Sequence, residues 1–122
     1  FGHFLAQAAD AEAGRAEGTT VEDAIKAACD AGASIVGANC GTDLSLDDYR
    51  KLGEQIVAAA GGLPTILQPN AGAPRNTPEG VRYDATPEDM AELARQLRGI
   101  GIRIIGGCCG TSPAHLAAMA RA

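Results

Sequence analysis

From Thr19 onward the apolar residues follow two alternating rhythms, helical steps of three and four and short unbroken runs. Val21, Ala24, Ile25 and Ala28 recur at helical spacing behind a Thr19 or Thr20 cap. Glu22 and Asp23 sit in the first turn, and Gly32 marks the stop. Residues 34–38 (SIVGA) then read as a short buried strand that ends at residues 39–42 (NCGT). A second helix is predicted from near Ser45, with Leu46, Tyr49, Leu52, Ile56 and Val57 on one face and Gly61 and Gly62 at its end. Residues 64–67 (PTIL) form the next strand. Residues 86–89 (TPED) combine a cap, a first-position proline and acids, the start of a third helix that stops at Gly99 or Gly101. Residues 102–105 (IRII) are the third strand, and Ser112 with Pro113 opens a last helix. Residues 1–18 are Ala-rich and weakly patterned: residues 1–5 read as the tail of a strand, the remainder as a loop or a loose helix.

The predicted order is αβαβαβα, with strands about 30 to 40 residues apart, which implies parallel βα units and the α/β class. Three parallel strands leave open edges, whereas a complete (β/α)8 barrel takes about 250 residues. A small, open, doubly wound sheet is the competing architecture. The chain begins at Phe1, not Met, and is expected to be a piece of something longer. Residues 69–85 (PNAGAPRNTPEGVRYDA) are the longest stretch with no predicted element. A loop there lies at the C-terminal end of a parallel strand, where ligand-gripping loops sit, and a tolerated surface insertion is the other reading.

Composition narrows the partners. Of 122 residues 46% are hydrophobic and 20% charged, which is globular composition. A formal net charge of −5 argues against nucleic acid and anionic membrane, since both need clustered Lys and Arg. No apolar run approaches the roughly 18 residues of a membrane span. Four cysteines are too few for a disulfide-dense secreted scaffold, and the vicinal pair Cys108–Cys109 is poorly suited to a relaxed disulfide. The expected setting is a reducing, cytoplasmic one with thiols available for metal or chemistry.

An internal echo places three of those thiols. Residues 32–42 (GASIVGANCGT) align without gaps to residues 101–111 (GIRIIGGCCGT), so Cys40 answers to Cys109 and Asn39 to Cys108. Equivalent positions just past two strand ends, with one strand between them, let Cys40, Cys108 and Cys109 converge on one face. Three thiolates suggest Zn²⁺, which takes sulfur ligands tetrahedrally and keeps one position open in catalytic sites. Two other readings stay open here: cysteines packed as small hydrophobes or used for redox, and a phosphate cradle in the Gly-rich turn of residues 106–111. Cys29 shares a helix face with Ile25 and reads as structural. His115, in the first turn of the last helix, reads as surface or packing.

The motifs GANC (37–40), QPNAG (68–72) and GGCCGTSPAH (106–115) resemble the homocysteine-binding domain of the homocysteine S-methyltransferase family. The resemblance runs from about Thr19 to the C-terminus. It implies the C-terminal part, about three strands, of a (β/α)8 TIM barrel, with all 122 residues inside that one domain. It further implies a Zn²⁺ site made by Cys40, Cys108 and Cys109, with the homocysteine sulfur in the open position and methionine as product. Four thiolates around one Zn²⁺ leave the site net negative and the substrate sulfur electron-rich. Asn39 and Asn70, beside the ligand loops, are candidates for hydrogen bonds to the substrate or the ligands. The implied partners are homocysteine, a methyl donor (a small molecule or a methylated corrinoid), and the missing N-terminal barrel half or a cobalamin domain. About five βα units would lie upstream, so the alternative is a non-catalytic zinc- or thiol-binding fragment that needs its missing half.

Overall fold

A computed structural model describes residues 19–122 and, before them, the backbone of two short strands, β1 (Phe4–Gln7) and β2 (Arg15–Ala16). The chain continues through β3 (Thr19–Thr20), α1 (Val21–Asp30), β4 (Val36–Asn39), α2 (Leu46–Ala59) and β5 (Thr65–Gln68). It ends with β6 (Pro74–Thr77), β7 (Gly80–Tyr83), α3 (Pro87–Ile100), β8 (Ile104–Ile105) and α4 (Pro113–Ala120). The main sheet has the order β1-β4-β5-β8, parallel throughout, with Phe4 opposite Val36, Val36 opposite Thr65 and Ile66 opposite Ile104. Short antiparallel pairs join β2 to β3 and β6 to β7.

Each helix starts where its cap dictates. The side chains of Thr20, Ser45, Thr86 and Ser112 accept from the N–H groups three residues on, and the last three belong to reciprocal capping boxes. The buried faces follow the apolar spacing: Ile25 and Ala28 on α1, Tyr49, Leu52 and Ile56 on α2, and Met90, Leu93 and Leu97 on α3. Gly53 adds a close approach that hydrophobic spacing does not announce. A Cβ there would come within 2.8 Å of the Leu97 side chain, so α2 and α3 meet nearly backbone to side chain.

Consecutive helices pack on one another, α1 on α2, α2 on α3 and α3 on α4, so they line one side of the sheet. Val36, Ala38, Thr65 and Leu67 point into that layer and are buried. The alternate residues share the opposite face: a Cβ on Gly37 would run into Ile66, and one on Gly106 would meet the Gln68 side chain. Ile104 is 42% exposed, so this face is apolar in part and incompletely covered.

One sequence expectation is refined and one needs correction. The strand tail expected over residues 1–5 overlaps β1, which pairs with β4, so among the described residues the main sheet has a fourth parallel strand. Residues 69–85 are not structureless: Pro74–Thr77 and Gly80–Tyr83 form a hairpin, closed by the Thr77 hydroxyl donating to the Gly80 carbonyl at 2.7 Å. Pro74 opens its strand, where its missing N–H costs nothing, and Gly80 takes a φ of 115° at the turn. These residues read as chain breakers because a two-stranded, mostly exposed ladder carries no apolar alternation.

Candidate metal centre

The cysteine loops are continuations of the sheet ladder. Past the end of β4, the Cys40 N–H donates to the Gln68 carbonyl at 3.0 Å; past β8, the Cys108 N–H donates to Pro69 at 2.8 Å. Both loops therefore flank the chain that leaves β5, one on each side. Cys40 turns out of the strand with a φ of 58°, a left-handed conformation unusual for a side-chain-bearing residue, and Gly41 continues the turn at 120°.

Buried hydrogen bonds fix this turn against the other loop. Asn70, 2% exposed, donates from Nδ2 to the Gly41 carbonyl at 3.1 Å and accepts the Cys109 N–H on Oδ1 at 3.1 Å. One side chain thus spans both cysteine loops. Tyr49, fully buried on α2, donates its hydroxyl to the Cys40 carbonyl at 2.8 Å and accepts the Asn70 N–H at 3.1 Å. Burial, followed by the nearby thiols, pushes the Tyr49 phenol up to about 12, so it remains a donor.

The result is a triangle of sulfurs. Cys40 and Cys109 Sγ lie 3.9 Å apart, Cys108 and Cys109 Sγ 4.0 Å apart, and all three fall within 4.8 Å of one another. Zn–S bonds of about 2.3 Å at tetrahedral angles place sulfurs roughly 3.8 Å apart, so the triangle is close to the size a metal of that kind needs. The thiols are free, not bridged. Burial raises the Cys40 thiol, but hydrogen bonds from the Gly41 backbone, Cys109, Cys108 and Asn70 outweigh it and hold Cys40 below the ordinary thiol range. Burial and the hydrogen bond with Cys109 push Cys108 above it.

Tyr83, at the end of the β6–β7 hairpin, packs against the turn that follows Cys109. A Cβ added to Gly110 would meet Tyr83 Cβ and Cγ at 2.3 Å, so the ring rests directly on the turn after Cys109. Partial burial, then the Cys109 thiol, raises the Tyr83 phenol above its usual value.

The remaining candidates separate cleanly. Asn39 ends β4 half-buried, and among the described residues its side chain takes no part in the network. Cys29 lies apart from the triangle, its thiol 3.9 Å from the Ala60 carbonyl between α1 and α2. His115 is a structural link between α4 and the segment after the hairpin. Its Nδ1 accepts the Ser112 N–H at 3.2 Å, which leaves Nε2 to donate to the Ala85 carbonyl at 2.7 Å. A phosphate cradle at residues 106–111 is disfavoured, because the N–H groups of Gly106, Cys108, Cys109 and Thr111 are already spent within the protein. His3 lies outside the described residues. The motif spacing does not reveal Tyr49 or Tyr83. A tyrosine at a core helix position was the available hint, since a buried hydroxyl requires a partner.

The sequence profile of the homocysteine S-methyltransferase family matches residues 4–122. The chain belongs to that family. Over 108 residues it is 32% identical to the methionine synthase of Mycobacterium tuberculosis and 31% identical to that of Mycobacterium leprae. These alignments cover 86% of this chain but only 9% and 8% of those proteins. The crystal structure of the homocysteine methyltransferase MmuM from Escherichia coli, in its oxidized form, is similar with a TM-score of 0.57 and 27% identity. That match covers 87% of this chain and 31% of MmuM. As a member of the homocysteine S-methyltransferase family, the chain spans a small part of the relatives it matches, and that part contains the three-cysteine cluster. Among the described residues no helix is long and apolar enough to cross a membrane.

Proposed function

We propose that this chain is the metal-bearing, C-terminal part of a (β/α)8 domain that transfers a methyl group to the thiol of homocysteine, giving methionine. The observation that carries the reading is the sulfur triangle of Cys40, Cys108 and Cys109, whose 3.9 and 4.0 Å edges suit tetrahedral zinc. Zinc, when bound, supplies the positive charge that lowers the pKa of an incoming thiol into the neutral range. The protein's own part is positional. Asn70 and Tyr49 hold the two cysteine loops at a fixed separation, so the three ligands need not be ordered when the metal arrives. Asn39 shares the sheet face of Gly37 by strand alternation and is a candidate for hydrogen bonding the substrate's polar end.

Strand order supports the barrel assignment. A doubly wound sheet reverses its order at a switch point. Here the order runs without reversal from β1 to β8, and every helix packs on its neighbour in sequence. The half-covered sheet face then belongs to the barrel interior, to be closed by strands on another segment or another chain. The methyl donor, a small molecule or a methylated corrinoid, would be recognised there. Free thiols fit a reducing compartment such as the cytoplasm.

Metal analysis tests the ligand set: near-stoichiometric zinc is expected, and its retention in both Cys40→Ser and Cys109→Ser overturns the reading. Methionine formation from homocysteine is then assayed with the chain alone and with the upstream barrel half supplied. Activity only in the combination assigns this segment the metal and the other half the rest of the pocket. Stoichiometric zinc with no activity in either assay favours a non-catalytic zinc- or thiol-binding module.

A further inference from the structure

We infer that Gln68 is a specificity-determining residue of the thiol site: its carboxamide, side by side with that of Asn39, reads the ammonium and carboxylate of an α-amino-acid thiol whose sulfur lies at the cysteine triangle. The inference rests on the methyl-transfer reading above and adds to it a residue that the reading leaves unused.

The sheet changes character along its strands. One in-register row is Leu5, Gly37, Ile66 and Ile104, with no polar side chain in it. Two residues further on, toward the cysteine loops, the row is Gln7, Asn39 and Gln68. Gly106 completes it, since its N–H donates to the Leu67 carbonyl at 3.1 Å and continues the ladder between β5 and β8. Val36, Ala38 and Leu67 face the helices, so by alternation Asn39 and Gln68 stand next to each other on the opposite, incompletely covered face. Cys40 follows Asn39 directly, and Cys108 lies two residues past Gly106. The amide row therefore adjoins both cysteine loops.

The protein itself does not use these amides. Among the described residues the side chains of Asn39 and Gln68 make no hydrogen bond, although both residues are half-buried. Asn70, two residues beyond Gln68, differs in this respect, because both ends of its amide are spent on the cysteine loops. Gly106 gives Gln68 its seat. A Cβ there would lie 3.3 Å from Gln68 Cγ and Nε2, and the φ of Gly106 is not left-handed, so this glycine supplies space rather than a turn.

A carboxamide offers an N–H donor for a carboxylate and a carbonyl acceptor for an ammonium, and it carries no charge. Two of them side by side match a zwitterion that bears both groups on one carbon. No Lys, Arg, Asp or Glu stands in the row to select a purely anionic or cationic thiol instead.

The test uses the whole chain loaded with Co²⁺ and titrated with L-homocysteine or with propane-1-thiol, which keeps the carbon chain and lacks both charged groups. The thiolate-to-cobalt charge-transfer band gains intensity as a further thiolate binds and gives a Kd for each. Wild type is expected to prefer homocysteine. Gln68→Met, close to glutamine in length, is expected to lose about tenfold of that preference through weaker homocysteine binding alone, as for one hydrogen bond to a charged group. Asn39→Ala should act in the same direction. Gly106→Ala keeps the amide but fills its seat, and should show a smaller loss of the same sign. Equal Kd values for the two thiols in the wild type overturn the role of Gln68 and leave the metal site standing. So does a preference that Gln68→Met leaves unmoved while its band before thiol addition is intact. Where Gln68→Met loses that band, Gly106→Ala decides by the same criterion. No band in the wild type overturns the metal reading and this inference with it.

Discussion

The Tyr49 hydroxyl reaches across from α2 and donates to the carbonyl of Cys40 at 2.8 Å, at the one residue of the cysteine triangle whose backbone is left-handed. That bond faces two ways. The oxygen that donates to Cys40 also accepts the Asn70 N–H, so the conformation of the first cysteine loop is linked to the residue that holds the second. A left-handed non-glycine residue is held only where surrounding structure over-determines it, and here the surroundings are three hydrogen bonds and a buried aromatic ring.

Tyr49→Phe should therefore act at a distance from any sulfur. Removing the hydroxyl leaves a buried carbonyl and a buried N–H without their partner, at a cost of about 1 to 3 kcal/mol. Zinc affinity is expected to fall about 10- to 100-fold, as for other residues that orient ligands without touching metal. Urea unfolding of the metal-free chain and chelator competition measure the two effects. Unchanged affinity would show that Cys40 keeps its turn unaided.

Helix starts were legible because caps are local chemistry: Thr20, Ser45, Thr86 and Ser112 all begin the helices that the sequence predicts. The cysteine triangle was legible for a different reason, the repeat of one strand-and-turn unit that puts Cys40 and Cys109 past equivalent strand ends. What escaped depends on partners far along the chain. The β6–β7 hairpin lacks apolar alternation, and of β1 the sequence suggested a strand tail over residues 1–5 but not its partner β4. Asn70 was singled out from its place beside the cysteine loops, but its double contact needs the ladder that aligns Gly41 with Cys109 across β5. The glycines divide along the same line. Gly41 and Gly110 serve left-handed turns as the motif suggests, whereas Gly37 and Gly107 are required by close approach, to Ile66 and to Thr111.

Gly37→Ala isolates that close approach. A Cβ there would lie 1.8 Å from the Ile66 carbonyl oxygen and 2.6 Å from its Cγ2, and the first of these is backbone that cannot rotate away. Strands β4 and β5 would have to part, breaking the ladder that aligns both cysteine loops. A loss of about 3 kcal/mol or more is expected, at or beyond the usual limit for overpacking. Thermal unfolding measures it. Gly99→Ala, where a Cβ would meet open space, is the control and should be neutral or slightly stabilising.

The thiols of the metal-free chain should ionise in a fixed order. Cys40 lies below the ordinary thiol range and Cys108 above it. A thiol whose folded pKa is depressed contributes stability that is present above its unfolded pKa and is lost as pH falls through the folded value. For Cys40 that loss comes below the ordinary thiol range. Cys108, with its folded pKa raised, behaves in the opposite sense: it favours the folded state below the ordinary thiol value and costs stability as pH rises beyond it. Site-resolved alkylation across pH should label Cys40 at lower pH than Cys108. The reverse order would mean that the hydrogen bonds from Gly41 and Asn70 do not outweigh burial at Cys40.

His115 offers a test of how the hairpin is fastened to the cysteine turn. Its ring closes the α4 capping box through Ser112 and donates to Ala85 two residues beyond Tyr83. His115→Ala removes both contacts and is expected to cost about 1 to 2 kcal/mol, the range of a lost cap. His115→Gln can restore one of them, since an amide N–H can reach a carbonyl but does not reproduce the ring's two opposed nitrogens. Protection of the Ala85 N–H against hydrogen exchange separates the contributions. If α4 loses only its cap, exchange at Ala85 stays slow while the helix frays. If His115 fastens the hairpin, exchange at Ala85 accelerates in His115→Ala and recovers in part in His115→Gln. The second outcome is expected, because the Ala85 N–H and carbonyl belong to one short segment, held by Ala71 on one side and by His115 on the other.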